Sequence, residues 1–192
     1  MIILLNMKNA EKINKVKKKF YPVIHVEDLR QTLLNADHAY GNGADGIFLI
    51  NHTVSVHSLQ EIYREVRKKY PDQWIGLNFL GLEAEEAMAA VPADANGLWT
   101  DNAEIDEFGE NIAPGEWFVN FYETHPQCTY FGGVAFKYQR HVAELELAAR
   151  KAAACMDVIC TSGAGTGIAA AVEHVRRFAA VKGETPLRGY AG

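Results

Sequence analysis

The sequence lacks the features that mark several large functional classes. It holds only three cysteines, Cys128, Cys155 and Cys160, and no CxxC pair. A disulfide framework or a cysteine zinc site therefore has little support, and buried thiols are expected. No metal site is expected, and no other cofactor is called for. Long apolar runs are also missing. The opening MIILL is too short for the apolar region of a signal peptide, has no basic residues before it and leads to no small-residue cleavage site. These absences point to a soluble, cytoplasmic protein without membrane contact. The formal net charge of -5 offers no general attraction for the phosphates of DNA or RNA, which excludes nucleic acid as the expected partner. In the one basic cluster, from Lys8 to Lys19, Ala10, Ile13, Val16 and Phe20 recur at helical spacing. An N-terminal helix within residues 1–20, its lysines turned to solvent, is the expectation.

What is present is a regular beat. The 192 residues, 48% of them apolar and 22% charged, suit a single globular domain over residues 1–192. From residue 21 a short apolar run, a polar cluster, an amphipathic stretch and then Gly or Pro recur, the pattern of βα units on a parallel sheet. The runs are YPVIHV from 21, GIFLIN from 46, WIGLNFL from 74, GLWTDN from 97, TYFGGVAFK from 129, DVICTS from 157 and TPLRGYAG from 185. Their unbroken succession favours a (β/α)8 TIM barrel over an open doubly wound sheet. The dinucleotide fingerprint of the open sheet should follow the first strand, and VIHVEDL contains no glycine.

Between the runs, Ser58 and Glu61 read as a capping box ahead of an apolar stripe of Leu59, Ile62, Tyr63 and Val66, closed by Lys68, Lys69 and Pro71. Ile168, Ala171, Val172, Val175 and Phe178 form a later helical face ending at Lys182 and Gly183, and a helix is expected from about Pro114.

Barrel enzymes carry their chemistry at the carboxyl ends of the strands. The residues there are His25, Glu27 and Asp28; Asn51 and His52; Asn78; Asp101 and Asn102; Lys137, Tyr138 and Gln139; and Thr161, Ser162, Gly163, Gly165, Thr166 and Gly167. Glu27 and Asp28 suit a helix N-terminus as well as catalysis. His25, Asn51, Asn78 and Asn102 suit backbone satisfaction as well as substrate binding. Alternation along the run from 129 predicts Val134 and Phe136 under the helices, with Gly133, Ala135 and Lys137 facing inward. An inward lysine among small residues pairs with an anion or sheds its proton, against the plainer alternative of a surface lysine on the loop. Asp101 is the candidate carboxylate to pair with it, and His52 a candidate acid or base. In VICTSGAGTGIAA the glycines would let backbone N–H groups converge on an anion at a helix N-terminus, with hydroxyls from Thr161, Ser162 and Thr166. The loop lacks the GK[ST] ending of a Walker A motif.

GGVAFKYQR ending its strand in Lys137, the alanine-rich helix after it, MDVICTSGAGTG and VEHVRRF together resemble the BtpA-like family of TIM-barrel proteins, relatives of the phosphate-binding barrels. GADGIFLINH and WIGLNFLG fit the family's second and third strands. The resemblance spans about residues 21 to 192 and implies a barrel, with Lys137, Ser162, Gly163, Thr166 and Gly167 as site residues. It implies no particular reaction; the family is associated with photosystem I assembly in phototrophs, and many members resemble metabolic enzymes. A TIM barrel takes about 250 residues, so one strand and two helices are expected to be missing after LRGYAG. A truncated coding sequence, an expressed fragment or a partner chain would account for this, and a homo-oligomer would cover the open barrel edge.

The sequence thus leads to an enzyme for a small phosphorylated sugar or nucleoside-type metabolite, of lyase or isomerase type. Lys137, Asp101 and His52 would be catalytic, and Asn51, Asn78, Asn102 and the 161–167 loop would bind substrate. Phosphoribosyl transfer is the alternative reaction, and a non-catalytic assembly or regulatory protein, or an inactive truncated form, the alternative class.

Overall fold

The computed structural model describes residues 3–6, 19–108, 116–165 and 168–181. Strands and helices alternate through them: β1 (Ile3–Asn6), β2 (Val23–Val26), α1 (Leu29–Gly41), β3 (Ile47–Asn51), α2 (Val56–Lys69), β4 (Ile75–Asn78), α3 (Ala84–Ala90), β5 (Gly97–Thr100), α4 (Glu116–Thr124), β6 (Thr129–Gly133), α5 (Leu145–Cys155), β7 (Val158–Thr161) and α6 (Val172–Ala180). The strands form one sheet in the order β1-β7-β6-β5-β4-β3-β2. β2 to β7 are all parallel, and β1 joins β7 antiparallel. This is the α/β class expected. β1 was not foreseen: Ile3–Asn6 lies inside the stretch read as an N-terminal helix, whose lysine-rich part falls mostly outside the described residues, as do Pro114 and the run from 185.

Among the described residues the parallel strands sit side by side in chain order, so their order does not reverse to form the crevice where doubly wound sheets take their ligands. The two sheet faces are covered differently. Ile24, Val26, Ile47, Leu49, Ile75, Leu77, Leu98, Tyr130 and Ile159 pack with helix residues such as Leu59, Tyr63, Ala148 and Phe178 in the larger core. The alternate positions Phe48, Trp99, Phe131, Val158 and Cys160 form a second cluster with Phe136, Tyr21, Val23 and Trp74, to which no helix contributes. Its rings meet mostly edge to face, as Phe48 does with Trp74, Trp99 and Phe131. Gly76 and Gly97 are neighbours across β4 and β5, and they leave the space that Trp74 fills: a Cβ on Gly97 would stand 2.5 Å from the indole.

Three local expectations change. α2 is capped by Ser55, whose side chain accepts the Ser58 N–H, so the helix starts one turn before the Ser58 and Glu61 box. β6 ends at Gly133, and Ala135 has a left-handed φ of 49°. The alternation therefore breaks, and Phe136 packs on the inner face with Trp99 instead of under the helices. α6 begins only at Val172, and Ile168 and Val172 are exposed, leaving Phe178 as its buried anchor.

Gly133 is where the β5 and β6 ends lock together. Its carbonyl accepts the Ala103 N–H at 3.0 Å, and a Cβ on it would collide with the backbone carbonyl of Asp101. Because that obstacle is backbone, Gly133→Ala is expected to lose about 1–3 kcal/mol, the usual cost of overpacking, read as a lower urea midpoint with the slope unchanged.

Candidate functional site

The carboxyl ends of β2 to β7 open onto two adjoining cavities. The inner one, about 400 Å³, has Ile50, Leu80, Trp99 and Phe136 in its walls, with His25, His52, Asp101, Lys137, Tyr138 and Ser162 around them. The outer one, about 620 Å³, is lined by Asp101, Asn102, Glu104, Asp106, Lys137, Tyr138, Gln139 and Arg140, among others. Both volumes fall in the range typical of ligand pockets, about 300–1,000 Å³. Asp101, Lys137 and Tyr138 belong to both.

Strand register explains how the inner residues meet. His25, Ile50, Asn78 and Trp99 are successive partners across β2, β3, β4 and β5, so their side chains project from the same row. Asp101 follows β5 one pleat further on. It accepts a hydrogen bond from Asn78 Nδ2 at 3.0 Å, and Asn78 itself is 1% exposed. Burial pushes the Asp101 carboxyl above the ordinary range, partly offset by the Asn78 amide and by the charges of Lys137 and His52. His25 and His52 lie ring to ring, 4.6 Å between centroids. Desolvation, His52 and Lys137 together lower the His25 pKa, which favours its neutral form. Trp99 adds a buried indole N–H with no hydrogen-bond partner among the described residues.

Lys137 stands four residues past the end of β6, in a turn and not on a strand tip. Its backbone N–H donates to Ser162 Oγ at 2.7 Å, and that hydroxyl donates to the Gly163 carbonyl at 2.9 Å. Gln139 closes the turn. Its Oε1 accepts the Phe136 N–H at 2.9 Å, while Nε2 donates to the Asp101 carbonyl at 2.7 Å and to Asn102 Oδ1 at 3.1 Å. One glutamine thus ties the Lys137 turn to the Asp101 loop. Glu104, Ala135 and Tyr138, the only non-glycine residues with positive φ among those described, all lie in these two segments, the kind of strain that collects at functional sites.

The remaining expected residues divide. Asn51 accepts the Leu80 N–H at 2.7 Å and donates to Val54 O at 3.4 Å, holding loops together. Asn102 accepts the Glu104 N–H and borders the outer cavity. Thr161 is buried and donates to Ala135 O at 3.2 Å, so it supports the turn and lines neither cavity. Asp28 caps α1 by accepting the Gln31 N–H. Gly165 borders the inner cavity, and Gly163 is pressed by the carbonyls of Ile168 and Ala169, the second 2.6 Å from where a Cβ would be. Thr166 and Gly167 lie outside the described residues. With α6 starting at Val172, the glycines do not sit on the helix N-terminus as expected.

Sequence reasoning placed Gln139 among the strand-end residues without a role and missed Glu107. Gln139 gave no signal beyond standing near Lys137, because its partners are far away in the chain. The Glu107 carboxylate receives both Arg140 amino groups, at 3.2 and 2.7 Å, and the Ala143 N–H, and Arg140 also pairs with Asp106 at 3.0 Å. This network braces the outer cavity wall. Among the described residues, no group of three or more His, Cys, Asp or Glu could hold a metal, and no helix is long and apolar enough to cross a membrane.

Two outcomes are expected. Gln139→Ala strands the Phe136 N–H and part of the Asp101 and Asn102 hydrogen bonding, and should cost about 1–3 kcal/mol in urea unfolding, the penalty for unsatisfied polar groups. Arg140 pulls the Glu107 carboxyl from 4.5 down to about 2, and Arg177 does the same to Glu146. A depressed carboxylate stabilises the fold above its unfolded pKa and loses that contribution as pH falls through the folded value. Melting temperature should therefore drop between about pH 4.5 and pH 2, and less steeply in Glu107→Gln; identical slopes would remove Glu107 from the account. Compared with known proteins, the chain matches no family model and no curated protein.

Proposed function

We propose that this chain is a cytoplasmic enzyme acting on a small phosphorylated sugar or nucleoside-type metabolite, by lyase or isomerase chemistry, on a sheet that curls as part of a TIM barrel of BtpA-like kind. The observation that carries this reading is the convergence of His25, His52 and Lys137 around the half-buried Asp101 in one cavity at the carboxyl ends of parallel strands. Basic groups at such a rim suit an anionic substrate, and a carboxyl whose hold on its proton is raised by partial burial suits proton transfer.

In the lyase form Lys137 gives one proton to the Asp101 carboxylate and adds as the amine to a substrate carbonyl carbon. The carbonyl oxygen departs as water with both amine protons, and the imine nitrogen takes the Asp101 proton. The cationic imine then withdraws electrons from the adjacent bond, while His52 or Asp101 accepts the proton released. Asn78 keeps Asp101 aimed through its amide. Curling is supported by strands in chain order and by one sheet face to which no helix among the described residues contributes. A homo-oligomer covering the β1 or β2 edge is part of the same proposal. Phosphoribosyl transfer would use the same basic rim without a covalent lysine adduct.

Borohydride reduction in the presence of dihydroxyacetone phosphate or sugar phosphates is the test. A mass increase on Lys137, lost in Lys137→Met, is expected. Absence of any adduct alongside a ligand-induced rise in melting temperature would shift the proposal to non-covalent transfer. No rise with any phosphorylated sugar or nucleotide would overturn it in favour of a non-catalytic protein.

A further inference from the structure

Buried aromatic side chains with a polar group are paired in this molecule, with one exception among the described residues. Tyr63 donates to Asp94, Tyr122 to the Cys155 carbonyl at 3.0 Å, and Tyr130 shares a 2.7 Å hydrogen bond with Thr100. Trp99 is also buried, at 6% exposure, yet its indole N–H finds no acceptor among the described residues. Its ring neighbours Phe48 and Phe136 stand edge to face with it and offer at most a weak π acceptor. An unsatisfied donor of this kind costs about 1–3 kcal/mol. Packing alone does not call for it, since phenylalanines fill neighbouring positions of the same layer. The indole forms part of the inner cavity wall, together with Ile50, Leu80 and Phe136.

Two arguments identify the missing acceptor. Side-chain donors beside the cavity are spent inside the protein, Asn78 Nδ2 on Asp101 and Ser162 Oγ on the Gly163 carbonyl. An entering group with lone pairs therefore meets in Trp99 a donor with a bond still to give. This donor is also uncharged and has apolar neighbours. A phosphate held there would lose hydration worth several kcal/mol per charge, against one hydrogen bond to a neutral group. A carbonyl oxygen loses only about 1–3 kcal/mol on burial, which one hydrogen bond largely offsets.

We infer that Trp99 is a substrate-binding residue, its indole N–H donating to an uncharged carbonyl oxygen of the ligand in the inner cavity. Resting on the proposed function, this sets the carbonyl, and not the phosphate, against the Trp99 edge. As the Lys137 amine adds to the carbonyl carbon, negative charge grows on that oxygen and strengthens the bond. Phe136, edge-on to the indole and carried on the Lys137 turn, is the neighbour that the oxygen presses aside to reach the N–H.

The test follows the indole N–H signals of the isotope-labelled full chain by NMR. The sequence has three tryptophans, Trp74, Trp99 and Trp117. The Trp99 signal is the one lost in Trp99→Phe or, should that variant not fold, the one kept in both Trp74→Phe and Trp117→Phe. The probes are glycolamide phosphate, whose amide carbonyl accepts a hydrogen bond but forms no imine, and propyl phosphate, of like charge and length without the carbonyl. The Trp99 proton is expected to move downfield with glycolamide phosphate and to stay in place with propyl phosphate. In calorimetry Trp99→Phe should bind glycolamide phosphate about fivefold more weakly, the loss of one hydrogen bond, and propyl phosphate as before. A Trp99 signal that stays in place, or moves alike with both probes, while the His25 and His52 ring signals register a bound phosphate would overturn the inference and leave the proposed function intact. If both probes and dihydroxyacetone phosphate leave all these signals unmoved, the proposed function fails and the inference with it.

Discussion

Parallel strands in chain order leave a second sheet face that no helix among the described residues covers, and the rest of the structure depends on how that face is filled. Tyr21, Phe48, Trp74, Trp99, Phe131 and Phe136 fill it with rings. They need glycines opposite them, at Gly76 and Gly97, because two bulky layers would not fit. The aromatic layer stops at the row of His25, Ile50, Asn78 and Trp99. Polar and basic side chains begin where the rings end, so the floor of the inner cavity is the top of the core.

Above that floor, the site is held by backbone contacts more than by charge. Gly133 lets the Asp101 loop lie directly on β6, Gln139 fastens the Lys137 turn to it, and Ser162 accepts the Lys137 N–H from the other side. These constraints set the Asp101 and Lys137 segments next to each other in positions that require left-handed residues. Strain of this kind persists only where several contacts over-determine it, and here hydrogen bonds from β5, β6 and β7 do so.

Much of this was legible in the chain. Apolar runs at even spacing located β2 to β7, Asp28 was a candidate cap, and Asp101 was placed just past its strand because polarity changes there, whereas Lys137, read as a strand tip, stands in the turn beyond β6. What was hidden depended on non-local geometry. GGVAFKYQR alternates like a strand through to its lysine, and nothing in it announces that Ala135 turns left-handed and carries Phe136 inward. Both Ser55 and Ser58 are competent caps, and only the extended backbone at Ser55 decides between them. The hydroxyls and glycines of VICTSGAGTGIAA read as an anion cradle. In the fold, Ser162 and Thr161 spend their hydroxyls on neighbouring backbone, and Gly163 makes room for two carbonyls.

The central claim is that His25, His52, Asp101 and Lys137 share one electrostatic environment. Following the His25 and His52 ring resonances by NMR across pH, in the unaltered protein and in Lys137→Met, tests it most directly. Because Lys137 contributes to the lowered His25 pKa, removing its charge should raise the His25 midpoint toward its ordinary value of 6.5 while the fold is retained. A His25 midpoint that is the same in both proteins would contradict the account.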